Sequence, residues 1–264
     1  MSRLKDSFSS YIKHRWSVQS KYSLHSPFIY TFWAGLLKDH TICAAYSRVE
    51  RLRKEWLRDE SVIHRKDFGA GSEGKAPLSG EVKVKELARG SLVSAAKGQF
   101  LYKLARVNKP VSILEFGTSL GLSSLYMSEA APDARIVTIE GCDETAAIAA
   151  SNFEKAGKKN ITVLSGTFDD KIGEALKMLP VPDLLFFDGN HRLEATLRYW
   201  EKCLPSLHAG SVAVFDDIHW SPEMEEAWRL IIALPEVKVS IDLYHLGVIY
   251  FREELSKEDF VLRF

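Results

Sequence analysis

The stretch Ile113-Leu-Glu-Phe-Gly-Thr-Ser-Leu-Gly-Leu-Ser123 decides the fold. After Pro110 an apolar run, Val111–Phe116, reads as a buried strand. Gly117 and Gly121 interrupt it, and Leu122–Ala131 then takes up helical spacing. Glycines where a strand turns into a helix permit positive φ and let a ligand approach the backbone closely. A GxxxG by itself is a weak motif, since it also suits close packing of a strand on a helix. Its place at the first strand-to-helix turn is what gives it weight.

Outward from this turn the same alternation repeats. Arg135–Ile139 reads as a strand, Thr145–Ala156 as a helix closed by Gly157, Ile161–Leu164 as a strand and Ile172–Met178 as a helix. Asp183–Phe187, Leu193–Leu207, Ser211–Phe215 and Glu223–Leu234 continue as strand, helix, strand, helix, and Val237–Leu243 with Gly247–Arg252 closes as an antiparallel hairpin. Strands alternating with helices over roughly 130 residues predict parallel βαβ units, hence a doubly wound α/β domain with a mostly parallel seven-stranded sheet. Upstream, 1–60 and Val82–Val107 read as helical. The glycine-dense Asp67-Phe-Gly-Ala-Gly-Ser-Glu-Gly74 has no strand-like run before it and reads as a loop or lid. The division expected is a helical extension or cover over 1–80 and the α/β domain over 81–264.

Composition narrows the function classes. Hydrophobic residues form 46% and charged residues 27% of the 264, ordinary for a globular protein. The longest apolar runs fall far short of the roughly 20 residues of a membrane span, and the first residues lack an apolar leader core. Cys43, Cys142 and Cys203 stand far apart without metal spacing and read as thiols in a reducing compartment, so a cytoplasmic protein is expected. Net charge is zero, but residues 1–66 carry 13 Lys/Arg against 6 Asp/Glu, leaving the remainder acidic. That basic segment reads first as a solvated helical face on an acidic domain, and second as a nucleic-acid contact. Eight aromatics within residues 1–33 call for burial against the main domain, a ligand or a second copy in a homodimer. The expectation is that they cover the carboxyl edge of the sheet.

The second strand ends in Glu140, about 20 residues beyond the glycines, where such folds hold two ribose hydroxyls on a carboxylate. Glu115-Phe-Gly-Thr-Ser-Leu-Gly121 with Ser123 and Glu140 resembles the class I S-adenosylmethionine-dependent methyltransferases, in the catechol and caffeoyl-coenzyme A O-methyltransferase group. The resemblance covers roughly residues 95–252. It implies a Rossmann-like methyltransferase fold with S-adenosylmethionine bound along Glu115, Gly117, Ser119, Gly121, Ser123, Glu140 and Gly141. Thr167 and Phe168, in Ser165-Gly-Thr-Phe-Asp169, would then lie near adenine, with Asp188 also bordering the cofactor.

Asp183-Leu-Leu-Phe-Phe-Asp-Gly-Asn-His191 and Val212-Ala-Val-Phe-Asp-Asp-Ile-His219 are apolar strands ending in acids. Asp188, Asp216 and Asp217 therefore fall at one carboxyl edge, where open α/β folds bind ligands. Converging carboxylates would repel unless a cation sat among them, and a hard divalent ion, Mg²⁺ first, is the expected answer. The competing reading makes the Asp216-Asp217 pair a cap for the following helix. By the same resemblance His191, three residues after Asp188, takes the place of a general base, with Asp188 beside it as a catalytic acid group. His219 and Trp220 are secondary pocket candidates, and His25 is a weaker one. The function expected is metal-assisted O-methylation of a small hydroxylated acceptor. An RNA ribose methyltransferase and a non-catalytic cofactor-binding protein are the alternatives. The Asn/Asp-Pro-Pro-Tyr/Phe signature of base methylation is absent, since the site reads Asp-Gly-Asn-His.

Overall fold

The computed structural model describes residues 11–12, 14–19, 25–66 and 79–264. Residues 11–12 and 14–17 are helical. They are followed by α1 (Pro27–Phe32), a π-helical turn (Trp33–Leu37), α2 (Ala44–Trp56), β1 (Val62–Arg65), β2 (Gly80–Lys83), α3 (Val84–Ser91) and α4 (Ala95–Asn108). Next come β3 (Ser112–Phe116), α5 (Leu122–Ala130), β4 (Arg135–Glu140), α6 (Asp143–Lys155), β5 (Ile161–Ser165) and α7 (Phe168–Met178). The chain finishes with β6 (Leu184–Phe187), α8 (Leu193–Cys203), β7 (Val212–Asp216), α9 (Pro222–Ala233), β8 (Val239–Asp242), β9 (Leu246–Tyr250) and β10 (Glu258–Val261). This is the expected α/β fold, with mixed and mostly parallel strands flanked by helices. Two compact units are formed, one from the segments up to Asp39 and from Asp183 onward, the other from His40–Pro182. No helix among the described residues is long and apolar enough to cross a membrane.

In the unit His40–Pro182, β3, β4 and β5 lie side by side and parallel. Every residue of β3 is buried, as expected of a parallel strand covered on both faces. Ile113, Leu114 and Phe116 are sealed from water, each contributing roughly 1.5–3 kcal/mol by burial. The helix expected over Val82–Val107 is two helices. Its first residues pair with Val62–Arg65 as an antiparallel hairpin, and the chain turns extended at Leu92 before Ser94 caps α4 by accepting the Lys97 N–H. Gly90 weakens the helix at that point and the serine cap restarts it. The glycine-dense stretch over 67–74 lies outside the described residues.

In the other unit the strand order is β10-β8-β9-β7-β6. β6 and β7 are parallel, β9 is antiparallel to both β7 and β8, and β10 is parallel to β8. β6, β7 and β8 therefore point the same way, and Asp188, Asp216 and Asp242 stand at their common carboxyl edge. Beyond the seven strands expected, the unit His40–Pro182 adds the β1–β2 hairpin and this one adds β10. Its core is aromatic: Phe187 stacks on Phe215 with centroids 4.6 Å apart, and Trp200 packs against both. Such pairs contribute about 0.5–1.5 kcal/mol beyond their buried area.

The aromatic N-terminal segment divides between two edges. Tyr11 and His14 meet Tyr244, just past β8 at the carboxyl edge. Phe28 and Phe32 meet Tyr250, which pairs with the first residues of β7 and β8 at the opposite edge. Among the described aromatics of the segment, Tyr11 reaches the carboxyl edge, with His14 beside it. Trp16 is 89% exposed and Tyr30 is also in solvent. Phe8 and Tyr22 lie outside the described residues.

Candidate functional site

In the unit His40–Pro182 the turn after β3 is built by backbone and carboxylate together. Gly117 has φ +100° and Gly121 φ +91°. The Gly117 and Thr118 amides donate to the Ile139 carbonyl at the end of β4, and Gly121 N–H to Thr118 O at 2.8 Å. Ser119, itself at φ +48°, donates its amide to Glu140 Oε2 at 2.8 Å, and the other Glu140 oxygen accepts Cys142 N–H at 3.1 Å. Glu140, Gly141 and Cys142 thus wrap around the glycine turn. A Cβ on Gly121 would run into the Phe153 ring. This glycine is required by packing as well as by backbone conformation.

Glu115 lies within β3 and is 0% exposed. Ser124 donates its hydroxyl to Oε2, while Oε1 has no hydrogen-bond partner. Burial pushes the carboxyl pKa up, although the Ser123, Ser124 and Thr138 hydroxyls favour its charged form. Ser123 is buried in the first turn of α5. Thr167 caps α7 through the Asp170 amide, and Phe168 opens that helix with its ring edge-on to Phe116 at 5.5 Å. The cofactor residues expected from the sequence, Asp188 apart, are gathered in this one unit.

The other unit holds the second constellation. His191 Nε2 lies 3.9 Å from Asp188 Oδ1, an ion-pair separation rather than a hydrogen bond. Asn190 between them has φ +53° and donates to the Tyr199 hydroxyl at 3.0 Å, fixing the loop on α8. Asp216, 4% exposed, ends β7. Its Oδ1 accepts the Asp217 N–H at 3.0 Å, and that same amide donates to His245 O at 2.7 Å. Neither acid caps α9. Ser221 does so, accepting from Met224 N–H, which overturns the helix-cap reading of the pair. His219 bridges Glu225 at 3.0 Å and Asp242 at 2.8 Å, Trp220 is half-exposed, and His25 is in solvent. Sequence reasoning singled out neither Glu225 nor Asp242, whose roles depend on the ring they hold.

Residues 114–218 match the model of a methyltransferase domain family. The chain is 28% identical over 169 residues to a catechol O-methyltransferase of Niastella koreensis, covering 60% of this chain and 73% of that one. A catechol O-methyltransferase of Mycobacterium tuberculosis is 30% identical over 132 residues, 48% of this chain and 56% of that relative. The chain therefore spans only about half the length of that second relative. Among solved structures, an SAH-bound methyltransferase of Podospora anserina superposes with a TM-score of 0.59 at 18% identity, covering 89% of this chain and 100% of that one.

The chain carries a methyltransferase domain and is related to the class I S-adenosylmethionine-dependent O-methyltransferases.

The methyltransferase's glycine turn fits that cofactor. A buried carboxylate with one unsatisfied oxygen suits a cationic ligand group, and the cofactor carries an ammonium. The divalent ion is a different matter. Among the described residues no three His, Cys, Asp or Glu side chains converge as a metal would require. Asp188, Asp216 and Asp217 share an edge without forming a ligand set.

Proposed function

We propose that this methyltransferase transfers a methyl group to a hydroxyl oxygen of a small acceptor. The observation that carries the reading is the His191–Asp188 pair at the carboxyl end of β6. S-adenosylmethionine, when bound, supplies an electrophilic methyl on a sulfonium. Glu115 receives the cofactor's ammonium at Oε1, and Glu140 accepts from the ribose hydroxyls while holding the glycine turn through Ser119. Ser123, Gly141, Thr167 and Phe168 line the remainder, following the family pattern. His191 takes the acceptor's proton as the oxygen attacks, an imidazole nitrogen being suited to general-base work. Asp188 stabilises the imidazolium that forms. The catechol O-methyltransferases among the relatives support a vicinal diol or catechol as the first acceptor to test.

The assay is transfer of labelled methyl to catechol and, separately, to total RNA. Label on catechol is expected, and label on RNA alone overturns the reading. His191→Gln should lower kcat about 10²–10⁴-fold while leaving S-adenosylhomocysteine affinity unchanged. A divalent ion at Asp188, Asp216 and Asp217 is the second reading, supported by the register that sets Phe187 beside Phe215 and so brings Asp188 next to Asp216. Turnover abolished by chelator and restored by Mg²⁺ assigns the acids to an ion. Undiminished turnover in chelator leaves His191 and Asp188 as the working pair.

A further inference from the structure

His219 stands three residues past the end of β7, on the same turn as Asp216 and Asp217. Both of its ring nitrogens are engaged by carboxylates, Nδ1 by Glu225 Oε1 on α9 at 3.0 Å and Nε2 by Asp242 Oδ2 at the end of β8 at 2.8 Å. The ring stacks on Tyr244 with centroids 5.1 Å apart and planes 12° from parallel. The second Asp242 oxygen accepts the Tyr244 N–H at 2.7 Å and lies 3.0 Å from His14 Nε2 of the N-terminal helical residues. The turn after β7 is thus tied to the turn after β8 twice, by the Asp217 amide on His245 O and by the imidazole on Asp242.

An imidazole with a carboxylate on each nitrogen donates at both, so it has no lone pair left to act as a base. A half-buried charge cluster also adds little net stability compared with apolar packing, and what it fixes is geometry. The backbone it would fix is costly, since Asp217 sits at φ +52°.

We infer that His219 is a positioning residue for methyl transfer, locking the Asp216–Asp217 turn through Glu225 and Asp242 so that this edge presents one acceptor-binding geometry. The inference rests on the O-methyl transfer reading above. His219→Gln keeps one donor, whereas His219→Phe keeps the stack on Tyr244 and no donor. With catechol as probe acceptor, kcat/KM should fall about tenfold in the Gln variant and about a hundredfold in the Phe variant. Calorimetric affinity for S-adenosylhomocysteine should stay within twofold. Hydrogen exchange at residues 216–221 should quicken at least tenfold in the Phe variant, with 112–124 unchanged. A packing role predicts the reverse order, with Phe active and Gln impaired, and that order overturns the inference. So does unchanged exchange in the turn. Should the Phe variant not fold, the Gln variant decides by the same two readouts. Wild-type inactivity on catechol refutes the transfer reading on that acceptor, and the exchange readout still judges His219.

Discussion

Replacing Glu115 with Gln should stabilise the cofactor-free protein and weaken cofactor binding at the same time. The carboxyl is completely buried, and one of its oxygens lacks a partner. An unsatisfied buried polar group costs about 1–3 kcal/mol, more when charged. Glutamine keeps the shape and removes the charge, so the free protein should gain about 1–3 kcal/mol near pH 7. For a chain of this size that is a melting-temperature rise of roughly 2–4 °C per kcal/mol. Burial raises this pKa in the fold. The folded state therefore holds the proton more tightly than the unfolded state does, and the penalty grows as pH climbs out of the usual carboxylate range toward the folded value. The gain in the Gln variant should accordingly vanish in acid and widen toward neutrality. Losing the proposed charge-assisted bond to the cofactor's ammonium costs about 1.5–3 kcal/mol, or roughly ten- to a hundredfold in affinity. Thermal unfolding at several pH values without cofactor, paired with calorimetric titration of S-adenosylhomocysteine, reads both effects. A Gln variant less stable than wild type at pH 7, with equal affinity, would refute the reasoning and leave Glu115 as a structural partner of Ser124.

Glu140→Ala should weaken S-adenosylhomocysteine binding about ten- to a hundredfold, since it removes both the proposed ribose acceptor and the fastener of the Ser119 and Cys142 amides. Lower stability with unchanged affinity would make it a fastener only. Gly121→Ala should cost about 2–4 kcal/mol in denaturant unfolding, from left-handed strain and a clash with Phe153. A cost below about 0.5 kcal/mol would contradict the packing described. Burial alone would raise the Asp242 pKa, but His14 and His219 hold it well below the usual carboxylate range. Its stabilisation is therefore present above that range and lost as pH falls toward the folded value. Burial likewise opposes the charge on His219, yet Asp242 and Glu225 raise its pKa, so its contribution is complete below the ordinary histidine value and fades as pH rises through the folded one. In urea unfolding from pH 3 to 9, Asp242→Asn should flatten both limbs, and an unchanged profile would deny the coupling.

The strand, glycine turn and helix of residues 112–130 were legible in the sequence because an apolar run, two glycines and helical spacing are all local signals. The strand-to-helix alternation after Pro110 was readable for the same reason, and with it the placing of Glu115, Glu140, Asp188 and Asp216 at strand interiors and ends. The hairpin of β1 and β2 was not legible, because two four-residue strands with one buried side chain each carry almost no period and find each other across 14 residues. Nor was β10 visible, since it depends on β8 being next to it. Gly121 read correctly as a backbone requirement, but Phe153, 32 positions away, became its steric reason only on folding. His219 looked like a lone histidine beside two aspartates until Glu225 and Asp242 closed on its ring. Periods of 2 and 3.6 residues are written into the chain by local backbone geometry. Which charges meet depends instead on strand order and register, and these arise from long-range pairing that no single window of sequence contains.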